Sequence, residues 1–209
     1  MPPLSEPPKY LSQEEVRRFF GAIAAPRDHL IFLITYLYGL RVGEVALLRR
    51  CDVDLVRSRI VIRRLKHGYW VERPIFSSLF APLGRYLEGS PGCDDDPLFP
   101  GRKGPLRKRQ IQALFTRYRD AVGLSRRLTC HALRHAIATH LLDAGCSLEF
   151  VQDHLGHRSI SSTSIYARIT DRHRVALFRR LDRSPWIAQP HAARGRTNQR
   201  LSSSRVGGE

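Results

Sequence analysis

One tyrosine, two arginines, two histidines and a lysine are spaced along this chain so that they could carry a single reaction. Tyr166 lies in HLGHRSISSTSIYARIT, nine residues after His157. His131 and Arg134 stand at i, i+3 in HALRHAIATH. Arg41 follows an apolar run in YGLRVGEVALL, and Lys66 falls between two strand-like segments in RLKHGYW. These types suit transesterification of a phosphodiester. A tyrosine oxygen can attack phosphorus and form a covalent phosphotyrosine. Two guanidinium groups and an imidazole, His157, can stabilise the negative charge that builds on five-coordinate phosphorus. A lysine can protonate the departing 5′-oxygen, which an arginine, always protonated, cannot. His131 can accept the tyrosine proton. The cations are side chains, so the scheme needs neither a metal nor any other cofactor.

Each residue has a plainer reading by itself. Arg41 could be a surface arginine paired with Glu44 at i+3. Lys66 could be a solvated turn residue. His131 and His135, at i, i+4, would suit a metal, but the glutamate of an HExxH helix is missing, and Cys130, Cys146, His154 and His157 add no recognised zinc spacing. His135 and His140 read as packing or surface histidines. Ile165 and Ile169 mark a core stripe, and Tyr166 lies about 100° round from Ile165, at the margin of that stripe. Ser161 to Ser164 fit either a close approach to DNA or a helix cap. The set as a whole, rather than any member, carries the chemistry.

The charge names a partner. Lys and Arg total 35 against 19 Asp and Glu, a net charge of +16 with a pI near 10.8. Such a balance favours a polyanion, and nucleic acid leads because no basic amphipathic helix points to a membrane. Only four of the basic residues are lysines: Lys9, Lys66, Lys103 and Lys108. Arginine forks match phosphate oxygens bidentately, although high genomic GC content explains the same bias. Cys51, Cys93, Cys130 and Cys146 are far apart, with no CxxC pair. No leader-like run opens the chain, and no segment reaches 18 apolar residues. The expectation is a bacterial cytoplasmic, nucleoid-associated protein with reduced thiols.

The elements that must position these residues follow from periodicity. Ser12 and Glu15 form a capping box ahead of a stripe of Val16, Phe19, Phe20 and Ile23. Pro26 breaks the chain. HLIFLITYLYGL, residues 29–40, is apolar, and residues 28–38 predict a buried helix closed by Gly39, with 42–49 a short further helix. RIVIRRL, KHG and YWVERPIF predict a β-hairpin with Lys66 at its turn. Helices are predicted at 78–88, 108–121, 131–144, 147–155, 161–169 and 171–182. GSPGCDDDP reads as an acidic loop and PGRKGPLRKRQ as a basic one. Residues 183–209 carry five arginines against one glutamate and few apolar residues, and predict a disordered basic tail. The fold class is therefore mainly α with a small antiparallel β-sheet (α+β). Residues 1–10 form an extension and 11–182 the catalytic domain.

With these motifs in hand, the chain resembles the catalytic domain of the tyrosine recombinases, the phage-integrase family, over roughly residues 9–182. YGLRVGEVALL, RLKHGYWVERPIF and CHALRHAIATHLLDAGCSLEFVQDHLGHRSISSTSIYARI carry the resemblance, together with the 23-residue interval from Arg134 to His157. The resemblance implies that Tyr166 is the nucleophile, that Arg41 and Arg134 are the site's arginines and His131 and His157 its histidines, and that Lys66 is the lysine that acts as general acid. It implies an acidic position at Glu44 that buttresses Arg41, strand exchange through a Holliday junction without ATP, and a homo-tetrameric synapse formed from free monomers. It also implies that the helix at 171–182 docks on a neighbouring protomer. Double-stranded DNA is the expected partner, contacted by Arg63, Arg64, Arg102, Lys103, Arg107, Lys108, Arg109 and Arg158.

Members of this family generally carry an N-terminal helical domain, whereas about eleven residues precede the first helix here. The chain therefore resembles most the small recombinases that invert fimbrial promoter DNA, for which DNA-bending helper proteins are expected, while a truncated integrase remnant is equally consistent with the missing domain. DNA inversion, or integration and excision of a mobile element, is the expected outcome. Two alternatives remain. A type IB topoisomerase shares the residue set and would relax supercoils without synapsis, and a DNA-binding regulator would bind without cleaving.

Overall fold

The computed structural model describes residues 10–65, 70–102 and 104–156. Lys66, Lys103, His157, Arg158, Tyr166, the hairpin turn, the tail and the helices expected at 161–169 and 171–182 lie outside these residues. The described part is mainly helical with a small antiparallel sheet, as the sequence predicts.

Helix α1 (Gln13–Gly21) starts at the expected capping box. Ser12 Oγ accepts from the Glu15 amide at 3.2 Å, and Glu15 accepts from the Ser12 amide at 2.8 Å. Helix α2 (Pro26–Leu37) begins at the proline expected to break the chain. Both roles of Pro26 come from one property: its missing N–H cannot continue an earlier helix, yet costs nothing in the first turn of a new one. α2 packs on α4 (Ser77–Glu88) and on α6 (His131–Asp143), so it runs through the middle of the core. Phe19 of α1, Phe32 of α2 and Phe115 of α5 (Lys108–Ala121) meet with ring centroids 5.0–6.0 Å apart. Each ring fully removed from water contributes about 1.5–3 kcal/mol. A second cluster joins α6 to α7 (Leu148–Leu155) through Ile137, Ala138, Leu142, Val151 and Leu155.

The segment expected to be helical over 42–49 forms only one turn, α3 (Val42–Val45). Tertiary pairing overrides local propensity beyond it. The Leu48 carbonyl accepts from the Leu98 amide at 2.8 Å, and Arg49 bridges Pro97. A short 3₁₀ turn over Arg50–Asp52 leads into the sheet β1 (Val53–Asp54), β2 (Arg59–Arg63) and β3 (Trp70–Pro74), all antiparallel in the order β1-β2-β3. β2 and β3 are the expected hairpin, with Arg59 opposite Pro74 and Arg63 opposite Trp70. The basic loop holds a further two-residue ribbon, β4 (Pro100–Gly101) with β5 (Gly104–Pro105). All four cysteines are free. No described helix is long and apolar enough to cross a membrane.

Candidate active site

The site assembles where four elements end together: the C-terminus of α2, the α3 turn, the exit of β2 and the first turns of α6. Tyr38, just after α2, fixes the first of these to the sheet, because its hydroxyl donates to the Pro74 carbonyl at 2.9 Å. Burial pushes that phenol up to about 12, against the opposing effect of the Phe76 amide. Gly39 then turns the chain with φ +57, a conformation only glycine adopts cheaply. A Cβ there would lie 2.4 Å from Leu155 Cδ2, so glycine is also what lets α7 close on α2.

Arg41 follows at the start of α3. Its amide donates to Glu44 Oε2 at 2.9 Å and its Nη1 to Oε1 at 3.0 Å. The expected i+3 pairing with Glu44 is therefore present, but Glu44 is fully buried while Arg41 keeps a quarter of its side chain exposed. Glu44 thus anchors Arg41 from below and leaves it facing outward. Burial alone would raise the Glu44 carboxyl. The Arg41 amide and the charges of Arg64, Arg134 and Arg41 outweigh it and hold the group below its ordinary value.

Arg134 lies one turn along α6 from His131, and the two differ in depth: His131 is exposed and Arg134 buried. Arg134 Nη1 donates to the Gly39 carbonyl and Nη2 to the Leu155 carbonyl at 2.8 Å. One guanidinium so holds the α2 turn and the end of α7 in a fixed relation, and α7 leads directly to His157. His131 titrates below its ordinary value. Partial burial is the largest cause, followed by the charges of Arg134 and Arg41, with Glu44 opposing. A histidine tuned this way is neutral near pH 7 and can accept a proton.

Arg41, His131 and Arg134 are therefore brought into one electrostatic neighbourhood, each acting on Glu44 or on one another. His131 and His135 have ring centroids 6.3 Å apart. Among the described residues no three metal-binding side chains cluster. His140 accepts or donates a 2.8 Å hydrogen bond with the Tyr36 hydroxyl in the core, and so serves packing.

The residues expected on DNA divide by depth. Arg102, Arg107, Lys108 and Arg109 are exposed. Lys108 lies across Gly43: a Cβ at Gly43 would meet Lys108 Cε at 2.6 Å and Nζ at 3.2 Å. The start of α5 is thereby placed beside the Arg41 turn. Arg63 is half-buried, stacked over Trp70 at 4.6 Å and paired with Asp52 at 3.0 Å. Arg64 is buried, with Nη1 on Glu44 at 3.1 Å and Nη2 on the His154 carbonyl at 2.7 Å. Burial removes Arg64 from the exposed set expected on DNA. A signal for this was available, since strand side chains alternate and Arg64 follows Ile60 and Ile62 on the inward face. His154 donates from Nε2 to the Leu37 carbonyl at 2.8 Å and ties α7 to the end of α2.

Comparison with known proteins identifies relatives of this chain in sequence and fold. Residues 9–173 match the phage integrase family. The chain is 38% identical over 174 residues to tyrosine recombinase XerA of Thermococcus onnurineus, covering 79% of this chain and 60% of that protein. A crystal structure of XerA recombinase superposes with a TM-score of 0.73 at 31% identity, covering 86% of this chain and 66% of that one. The XerH site-specific recombinase bound to difH substrate, in a pre-cleavage complex, superposes with a TM-score of 0.67 at 27% identity, over 81% of this chain and 52% of that one.

Proposed function

The chain belongs to the phage integrase family, and from that premise we propose that it is the catalytic domain of a site-specific DNA recombinase acting through a 3′-phosphotyrosine. Tyr166 attacks the scissile phosphorus, the P–O5′ bond breaks, and the strand is held by its 3′-phosphate. His131 takes the tyrosine proton, and Lys66 gives a proton to the 5′-oxygen. Arg41, Arg134 and His157 stabilise the charge on phosphorus. Attack by a 5′-hydroxyl reverses each step, so the phosphodiester energy is conserved and no nucleotide cofactor is consumed.

The observation that carries this reading is the grouping of Arg41, His131 and Arg134 around buried Glu44. Arg134 is fixed against the helix that precedes His157. The exposed cations Arg102, Arg107, Lys108 and Arg109, with Lys103 and Arg158, complete a DNA-facing surface in this proposal. The partner is double-stranded DNA. Strand exchange pairs four protomers that are monomers when free, with DNA-bending proteins assisting. The outcome is inversion, as in the fimbrial phase-variation recombinases, or integration and excision of a mobile element.

The test is a supercoiled plasmid carrying two copies of the recombination site. Inverted sites should yield inversion, and direct sites excision. Relaxation of site-free plasmid without any recombination would replace this reading with a topoisomerase.

A further inference from the structure

We propose that Arg64 is a positioning residue, a buried cross-brace that ties the Arg41 turn to the C-terminal end of α7. The proposal rests on the recombinase reading above. It concerns a residue that touches neither DNA nor the reacting atoms.

Arg64 and Glu44 are both out of water, at 1% and 0% exposure. The brace has two arms on two elements. Nη1 meets Glu44 Oε2 at 3.1 Å, on the oxygen that also receives the Arg41 amide. Nη2 meets the His154 carbonyl at 2.7 Å. Only a planar, forked cation reaches both acceptors at once. The carbonyl of residue 154 belongs to the last turn of α7, where the helix itself supplies no donor. Arg134 takes the neighbouring Leu155 carbonyl, so two buried guanidiniums close one helix end. A cation at a helix C-terminus is also favoured by the helix dipole.

The brace lies close to both reacting groups along the chain. Lys66 is two residues beyond Arg64, and His157 three beyond His154. An extended chain covers at most about 3.3–3.6 Å per residue. The Arg64 contacts fix the backbone at Arg64 and at His154 relative to the Arg41 turn. Position matters to the rate, since about 1 Å of misplacement can cost about a hundredfold.

The charged groups facing Glu44 are Arg41 on the α3 turn, Arg64 after β2, and His131 and Arg134 on α6. On α7, His154 feels Arg64, Arg73 and Asp153. Without Arg64, Glu44 loses a charge that holds it ionised, and it takes up a proton at higher pH. The anchor on Arg41 then fails earlier as pH falls.

The test is single-turnover cleavage of a nicked suicide substrate, trapped as the covalent adduct, across a pH series. It is run beside DNA binding and thermal unfolding, with the full chain, Arg64→Met and Arg64→Lys. Arg64→Met should cleave about tenfold to a hundredfold more slowly, bind DNA within about twofold of wild type, and show its acid limb moved to higher pH. Arg64→Lys keeps the charge beside Glu44 but cannot fork to His154, so it should restore the acid limb and only part of the rate. If Arg64→Met does not fold, the double variant Arg64→Met/Glu44→Gln removes the stranded buried charge and is compared with Glu44→Gln alone, which already lacks the full Arg41 anchor; slower cleavage by the double variant than by Glu44→Gln, with intact binding, supports the brace. Wild-type cleavage by Arg64→Met, or cleavage by the double variant at the Glu44→Gln rate, overturns the brace. So does a rate loss matched by lost DNA affinity, or a rate loss with an unmoved acid limb. A wild-type chain that forms no adduct overturns the recombinase reading instead, which keeps the two failures distinct.

Discussion

Replacing Gly39 by alanine tests whether the α2 turn is what sets α7 and Arg134. Two costs add. The residue has φ +57, which an L side chain adopts at a cost of about 1–2 kcal/mol. The new methyl group would also lie 2.4 Å from Leu155 Cδ2 and 3.5 Å from Ile137 Cγ2. Leu155 is fully buried among Ile137, Ala138, Leu142 and Val151, so its side chain has nowhere to swing. Overpacking of that kind costs about 1–3 kcal/mol. The sum, about 2–5 kcal/mol, lowers Tm by about 4–20 °C in a chain of this size. Two controls separate the costs in the same thermal-unfolding assay. Gly123 shares the strained conformation at φ +64 but has open space around it, so Gly123→Ala should show the strain alone. Gly21 ends α1 with open space and no positive φ, so Gly21→Ala should be neutral or stabilising by up to about 1 kcal/mol. Displacing Leu155 also moves the carbonyl that Arg134 holds, so cleavage by Gly39→Ala should fall more than its remaining folded fraction explains. A Tm no lower than that of Gly123→Ala would refute the packing argument.

The charges lead to further outcomes. His29, His131, His140 and His154 all titrate below the ordinary histidine value of 6.5, burial being the largest cause for each. The unfolded chain therefore binds protons more readily than the folded one below that pH, so Tm should fall from about pH 7.5 to about pH 5.5. Cleavage should retain a neutral His131 down to below 6.5, and an acid-limb midpoint above 6.5 would contradict its role as proton acceptor. Lys108→Ala should weaken DNA binding similarly across sequences and lower the salt slope by about one, measured by titration between about 50 and about 200 mM salt, where wild-type affinity should drop by about 10³ or more. A flat response in the wild type would remove DNA as the partner.

Element type was legible in the sequence wherever periodicity and caps agreed. The Ser12 box, the Gly39 end and the RIVIRRL–YWVERPIF hairpin each led to the observed element. What remained hidden depends on contacts between distant segments. β1, β4 and β5 are two-residue strands, too short for any pattern, and exist because a neighbour supplies their hydrogen bonds. The 42–49 helix stopped early for the same reason. Within the site, the i, i+3 relation of His131 and Arg134 was legible, but their difference in depth was not. α6 is buried around most of its girth, and in its first turn only His131 is exposed. Arg64 shows the reverse: its inward face was readable from strand alternation, yet its type suggested a phosphate contact. Gly39 announced a helix end, while its second task, admitting Leu155, required α7 to be in place.

The central claim is that Tyr166 becomes covalently joined to DNA. Incubation with a nicked duplex containing the recombination site, followed by SDS electrophoresis, should show a protein–DNA adduct for the wild-type chain. Tyr166→Phe should show none while binding the same duplex within about twofold. An adduct formed by Tyr166→Phe at the wild-type rate, or no adduct from a wild-type chain that binds the site, would contradict the account.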